Sequence, residues 1–288
     1  MIQPSEEEKM TSERSAKKGK KIVCIDSDGT ALDTMNIKHI RCFGPCFVKE
    51  WGLDAHRKEV LARWNDINLY EKTRGKNRFI TLYLLLQELN GTLLNEELFP
   101  LKNWVESGKE LSNASLQREI GETGAPLLKR VLAWSEDVNR EIAKLTDDDK
   151  KPFDGVEAFL RFAQDRVDIA VVSSAGGDAL RQEWKICGFD KYVDVLFSQE
   201  DGTKAQCLRI LMDKGYEADE ILMVGDSFPD IDAAKECGVW FYPVLAGKEA
   251  QSWKNLRKKY FQMFLSGQFA DVQGELKGAF YKNLKAEE

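Results

Sequence analysis

Two acids close an apolar run near the start of the chain. Ile22, Val23, Cys24 and Ile25 are residues of a buried strand; Asp26 and Asp28 follow one residue apart, with Gly29 and Thr30 directly after. Strand alternation would set Asp26 and Asp28 on the same side, and Gly29 lets the chain turn sharply. Like charges held that close are costly unless a cation or a shared proton uses them. Other apolar runs end in the same kind of residue. "DIAVV" stops at Ser173 and Ser174, before a small-residue turn into a helical pattern. Lys204 opens the helical pattern after "VDVLFSQEDGT", and "ILMVG" stops at Asp226, with Asp230 one helical turn on.

Such a set has a definite chemistry. Carboxylate oxygens select a hard cation, and Mg²⁺ takes one or two carboxylates together with water and phosphate oxygens. Beside the cation, Asp26 can attack phosphorus and form an aspartyl-phosphate. Anionic neighbours raise a carboxyl pKa, so Asp28 would protonate a leaving oxygen and later take a proton from water. Ser173 would hydrogen-bond the transferring phosphoryl group, and Lys204 would supply positive charge to its equatorial oxygens. Backbone N–H groups after Ser173, at a helix start, would form an anion nest. Asp230 has a second reading, as a cap of its own helix.

These residues need a frame that brings them together. Residues 150–247 alternate strand and helix: "VDIAVVSS", "VDVLFS", "EILMVGDS" and "VWFYPVL" are strands with helical patterns between them. That order predicts a Rossmann-like α/β fold, a parallel sheet with helices on both faces. With the strand of residues 21–34 in the same sheet, every residue named above stands at a carboxyl end, where open sheets bind ligands. Residues 35–149 read as an inserted, all-helical domain. In "PLLKRVLAWSEDVNREIAKL", Leu128, Val131, Leu132, Ser135, Val138, Ile142 and Leu145 share one helical face. "NRFITLYLLLQELN" is apolar nearly all round and predicts a buried helix. Residues 248–288 read as an amphipathic helical extension that packs on the core or serves a partner. Residues 1–20 form a charged leader without a signal-peptide core, read as a disordered tail.

Composition narrows the function further. A net charge of −6 argues against nucleic acid as the main partner. No apolar run approaches the roughly 20 residues that span a bilayer. The six cysteines form no C-x-x-C pair, and with two histidines in the chain a zinc site is not expected. They read as small buried hydrophobes in a reducing, cytoplasmic setting.

"DSDGT" at 26–30, "VVSS" at 171–174, Lys204 and "GDSFPD" at 225–230 resemble, in order, the four motifs of the haloacid dehalogenase-like superfamily. The resemblance implies Asp26 as nucleophile, Asp28 as acid/base, and Ser173 and Lys204, with Ser174 beside them, as phosphate-binding groups. It implies Asp226 as metal ligand, Asp230 as an assisting acid and Mg²⁺ as cofactor, with Asp26 and Asp28 also near the ion. The helical insertion resembles that family's cap, though it is longer than usual. Ser27 departs from the apolar or aromatic residue common between the two aspartates, and Ala31 from the usual leucine. The function implied is a Mg²⁺-dependent phosphatase of a small phosphorylated metabolite, monomeric or a homodimer. The alternatives are a phosphomutase of the β-phosphoglucomutase type and a binding protein that keeps the fold without turnover. Asp28 speaks against dehalogenases and phosphonate hydrolases, which have no ester oxygen to protonate. The mutase type usually carries Glu-Asp where this chain has Gly225-Asp226. His39, Arg74 and Arg78 are candidate substrate contacts in the helical insertion; the plainer alternatives are a solvent-facing helix position and a solvated turn. Trp64, Trp104 and Trp134 read as core residues of the same insertion.

Overall fold

The computed structural model describes residues 20–287, so the leader expected over residues 1–20 falls, but for Lys20, outside the described residues. The chain divides into two compact units, one of Met35–Asp149 and one of the residues before Met35 together with Lys150–Glu288.

The second of these is an α/β unit. Its strands are β1 (Ile22–Ile25), β2 (Asp168–Val172), β3 (Val195–Phe197), β4 (Ile221–Gly225) and β5 (Trp240–Pro243), in the order β3-β2-β1-β4-β5. All pairings are parallel, and β1 sits in the middle, with Ile25 opposite Val171 on one side and Val224 on the other. Parallel strands need crossover helices, which cover both faces and make the strands apolar throughout. Val23, Ile25, Ile169, Val171, Leu222 and Val224 pack on one face, against Phe159, Trp184, Trp253 and Phe261. Ile22, Cys24, Ala170, Val172 and Met223 pack on the other, against Leu208, Leu211, Ile231 and Phe280. The period of two along each strand assigns these faces.

In chain order the helices of the Met35–Asp149 unit used below are α1 (Gly44–Glu50), α2 (Arg57–Asn65), α3 (Arg78–Leu89), α4 (Phe99–Glu106), α5 (Asn113–Thr123) and α6 (Pro126–Ile142). Trp64, Trp104 and Trp134 lie in the interior of this unit, with Phe47, Phe79, Leu82, Leu128, Val131 and Val138. α3, apolar nearly all round in sequence, buries Phe79, Leu82, Leu85 and Leu86 here. Helices of the α/β unit follow as α7 (Val156–Ala163), α8 (Gly177–Ile186), α9 (Lys204–Asp213), α10 (Phe228–Cys237), α11 (Glu249–Asn255), α12 (Phe261–Leu265) and α13 (Ala270–Asn283). No helix among the described residues is long and apolar enough to cross a membrane.

Residues 248–287 belong to the α/β unit and pack on its sheet. Trp253 and Phe261 enter one face, Phe280 and Leu284 the other. α13 also closes the β5 edge. The Gln273 side chain accepts from the Phe241 N–H at 2.8 Å and donates to the Phe241 carbonyl at 2.9 Å. Asn283 repeats the clamp just beyond the strand, accepting from the Ala246 N–H at 2.8 Å and donating to its carbonyl at 3.1 Å. A carboxamide offers one donor and one acceptor at the spacing of a peptide unit, so each stands in for a residue of an absent neighbouring strand.

Candidate active site

β1 ends at Ile25, and Asp26 is the first residue past the sheet, its N–H donating to the Val224 carbonyl at 3.0 Å. The chain then folds over the Ser27 carbonyl, which accepts from the N–H groups of Thr30, Ala31 and Leu32 at 3.3, 3.0 and 2.9 Å. Gly29 takes φ +84° there, a conformation that penalises any Cβ. Because this is a turn, strand alternation no longer governs Asp28. Its half-buried carboxylate accepts from the Thr34 hydroxyl instead.

β4 delivers the second acid and α10 the third. Asp226 follows Gly225, and Asp230 lies in the first turn of α10. Asp230 Oδ2 accepts from the Asp226 N–H at 3.2 Å, the Ser227 N–H at 3.0 Å and the Ser227 hydroxyl at 2.6 Å. Asp230 therefore closes the start of its own helix and still turns Oδ1 to the Lys204 ammonium. Lys204 is the first residue of α9, fixed by a reciprocal cap between Thr203 and Gln206. Its Nζ lies 2.8 Å from Asp26 Oδ1. Oxygens of Asp26, Asp226 and Asp230 all lie within 4.8 Å of one another, and all three residues are buried.

Asp28, expected beside the ion, is not part of this group. Ser173 is buried past the end of β2; its N–H donates to the Phe197 carbonyl at 3.0 Å, and its Oγ accepts from the Ala175 N–H at 3.2 Å. Ser174 is exposed. The expected anion nest is partly spent. The Ala175 N–H serves Ser173, and the Gly177 N–H, at the start of α8, donates to Glu200 Oε2 at 3.0 Å. His39, Arg74 and Arg78 lie in the helical unit. His39 Nδ1 accepts from the Trp64 indole at 3.2 Å. Arg74 is wholly buried, with its guanidinium donating to the Leu69 carbonyl at 2.8 Å. Arg74, expected as a substrate contact, thus holds an interior place and braces the chain.

Three further residues hold the turn and were not singled out by sequence. The Thr30 hydroxyl donates to Asp226 and lies 3.4 Å from Asp26 Oδ2. The Trp184 indole N–H donates to Ser27 Oγ at 2.9 Å, and the Trp253 indole N–H to the Thr30 carbonyl at 2.9 Å. Ser27, Trp184 and Trp253 are all interior. The serine between the two aspartates thus has a cause: a buried indole N–H needs an acceptor, and an apolar residue at 27 would supply none.

Burial pushes the Asp26 carboxyl well above the usual carboxylate range; the Lys204 ammonium draws it down, and Asp230 and Asp226 push it up again. Burial disfavours charge on Lys204, but Asp230 and Asp26 outweigh it and hold the ammonium above its ordinary value. Three buried carboxylates face one ammonium, so the ionised cluster carries an excess of two negative charges. An all-oxygen donor set with that excess fits a hard divalent cation. Asp26, Asp226 and Asp230 each bring an oxygen into that cluster and could hold the ion; Asp230 is the most heavily engaged of the three, with four donors on its two oxygens.

Solved structures with a similar arrangement include a candidate phosphoglycolate phosphatase from Lactobacillus delbrueckii subsp. bulgaricus (19% identity, 78% of this chain and 85% of that one, TM-score 0.48). A candidate β-phosphoglucomutase from Thermotoga maritima is 17% identical over 77% of this chain and 84% of that one, at a TM-score of 0.42. A HAD-superfamily hydrolase, subfamily IA, variant 1, from Geobacter sulfurreducens is 16% identical over 77% and 86%, at 0.41. At such distances the names of these proteins say nothing of what this chain turns over. Comparison with curated proteins found no match. The sequence profile described as haloacid dehalogenase-like hydrolase matches residues 81–244, more than half of the chain, including β2 to β5 with Lys204, Asp226 and Asp230. With its parallel sheet and its helical insertion, the chain belongs to the haloacid dehalogenase-like hydrolase family.

Proposed function

We propose that this protein is a Mg²⁺-dependent phosphatase of a small phosphorylated metabolite, working through an aspartyl-phosphate on Asp26. The carrying observation is the meeting of Lys204 Nζ with Asp26 Oδ1 at 2.8 Å, beside Asp226 and Asp230. A bound Mg²⁺, held by Asp26 and Asp226, would neutralise the carboxylates and the phosphoryl oxygens. Asp26 forms the new O–P bond as the ester O–P bond breaks, and the Asp28 carboxyl gives its proton to the departing oxygen. Water then attacks the aspartyl-phosphate, Asp28 takes the proton back, and phosphate and free Asp26 return. Lys204 holds Asp26 and offers charge to the phosphoryl group in flight. Ser173 contributes its hydroxyl, and Thr30 locks Asp226 to the turn. The helical unit, residues 35–149, acts as the cap that selects the substrate.

The phosphomutase reading is weaker. A Cβ at Gly225 would come 2.3 Å from Asp230 Cγ, so the glutamate common in that type has no room here. A fold kept for binding alone would have no use for a buried excess of carboxylate. Asp26→Asn tests the assignment. The variant should fold, and its release of phosphate from p-nitrophenyl phosphate with Mg²⁺ should be lost; turnover at the wild-type rate would refute the nucleophile.

A further inference from the structure

Beside β3, the border strand of the sheet, the α/β unit has a cavity of about 540 Å³. Ligand sites span about 300–1,000 Å³, so a small organic molecule fits. No residue assigned to catalysis lines it. α8 contributes Arg181, Trp184 and Lys185, which share one helical face. Val193, Val195, Leu196 and Phe197 complete the apolar lining. The first three of these are half-buried, because β3 pairs with β2 alone and no strand covers its outer side.

The charges around the cavity divide into spent and unspent. Asp194 accepts from the Ile169 N–H at 3.0 Å, and Asp201 from the Ser198 N–H at 2.8 Å and its hydroxyl at 2.9 Å. Arg181 lies 3.2 Å from Asp178. Lys185 and Asp190 are exposed, and among the described residues neither side chain has an ion pair or a hydrogen bond. One ammonium and one carboxylate are therefore left over beside an apolar lining. The complementary ligand has an apolar body, a carboxylate for Lys185 and an ammonium for Asp190. A ligand with one charge would match only one of the two.

Trp184 belongs to two structures at once. Its ring lines the cavity, and its indole N–H donates to Ser27 Oγ at 2.9 Å, in the turn that carries Asp26 and Asp28. Trp184 and Ser27 are both interior, and a closely packed interior passes a shift of the ring on to the serine.

We propose that this cavity binds a small zwitterion of the class of a free apolar amino acid, and that occupancy is transmitted through Trp184 to the turn between Asp26 and Asp28. The binding claim is independent of the reaction catalysed. That occupancy alters turnover rests on the phosphatase reading.

L-Phenylalanine and L-leucine, titrated calorimetrically into the full chain, test the site. Phenethylamine and 3-phenylpropionate are the controls, each lacking one of the two charges. The amino acids should bind, and each control about tenfold more weakly than L-phenylalanine, as the loss of a charge-assisted hydrogen bond requires. Lys185→Glu and Asp190→Lys, both at exposed positions, should each weaken L-phenylalanine by about tenfold. The double variant exchanges the charges and should recover most of the loss, since the ligand can turn round. No binding of either amino acid by the wild type, equal affinity for the controls, or single variants that bind as the wild type does would each overturn the site. Hydrogen–deuterium exchange read by mass spectrometry tests the coupling. With L-phenylalanine bound, amides of residues 27–32 should exchange at least twofold more slowly; protection confined to α8 and β3 overturns the coupling and leaves the binding site. A wild type that releases no phosphate from p-nitrophenyl phosphate, with or without the amino acid, counts against the phosphatase reading, while calorimetry and exchange still decide the proposal.

Discussion

Gly225→Ala puts one methyl group where the cluster is tightest. The backbone at 225 is ordinary strand, so conformational freedom is not why glycine stands there. An added Cβ would meet Asp230 Cγ at 2.3 Å, its Cβ at 2.4 Å and its Oδ2 at 2.6 Å. Reaching ordinary contact, from 3.4 Å upward, needs a displacement of roughly 1 Å, and a closely packed interior resists shifts of that size. Asp230 cannot swing aside, because its carboxylate is tied to Asp226, Ser227 and Lys204. Overpacking costs about 1–3 kcal/mol, and losing one charge-assisted hydrogen bond adds about 1.5–3 kcal/mol. A destabilisation of about 2.5–6 kcal/mol follows. As Asp230 moves, Lys204 loses its second anchor, and a misplacement near 1 Å costs roughly 100-fold in rate. Urea unfolding monitored by tryptophan fluorescence gives the first number, and p-nitrophenyl phosphate hydrolysis with Mg²⁺ the second. A variant with the wild-type midpoint and a kcat within threefold would show that Asp230 is not held as described, and the account of Lys204 would fall with it.

Other outcomes follow from single contacts. Ser27→Ala strands the Trp184 indole N–H and should cost about 1–3 kcal/mol; in a double-mutant cycle with Trp184→Phe the second change should cost about 1 kcal/mol less once the first is made, and strict additivity would deny the bond. The raised Asp26 carboxyl makes the metal-free protein lose stability as pH climbs from about 4 through its higher folded value, since the folded state then holds the proton longer than the unfolded chain. Asp26→Asn should flatten that decline, and added Mg²⁺ should raise Tm more at pH 7.5 than at pH 5; a Mg²⁺ effect independent of pH would contradict both. Gln273→Leu leaves the Phe241 backbone pair without its clamp and should lower the urea midpoint, with faster amide exchange confined to β5 by mass spectrometry; uniform exchange across the sheet would assign the loss to packing instead.

The parts legible in sequence were those written in local order. Apolar runs announced β1 to β5, the short β3 among them, and the residues at their ends were visible because a charge or hydroxyl closing a buried strand breaks the pattern. Lys204 could be placed for the same reason, at a helix start marked by Thr203. Asp28 stands outside the cluster of three acids because the period of two stops with the strand at Ile25, one residue before Asp26. The nest after Ser173 was misjudged because Glu200, which fills part of it, arrives from another loop. Bonds between Trp184 and Ser27, or Trp253 and Thr30, join residues more than 150 positions apart. No periodicity records such a pairing; the one visible trace was the serine standing where an apolar residue is usual. Arg74 and Arg78 sit in one basic stretch, and only packing separates the interior brace from an arginine that donates to Asn139 and Ser135.

The carboxamides of α13 also bear on how copies of this protein can meet. A sheet lengthens between molecules by offering bare main-chain groups to a neighbour, and at β5 Gln273 and Asn283 have already answered them. Among the described residues, strand-by-strand growth from one copy to the next is left the opposite border, where β3 is three residues long. A run that short holds a register poorly, so the fold resists fibre-like stacking at both borders by different means: occupancy at one, brevity at the other.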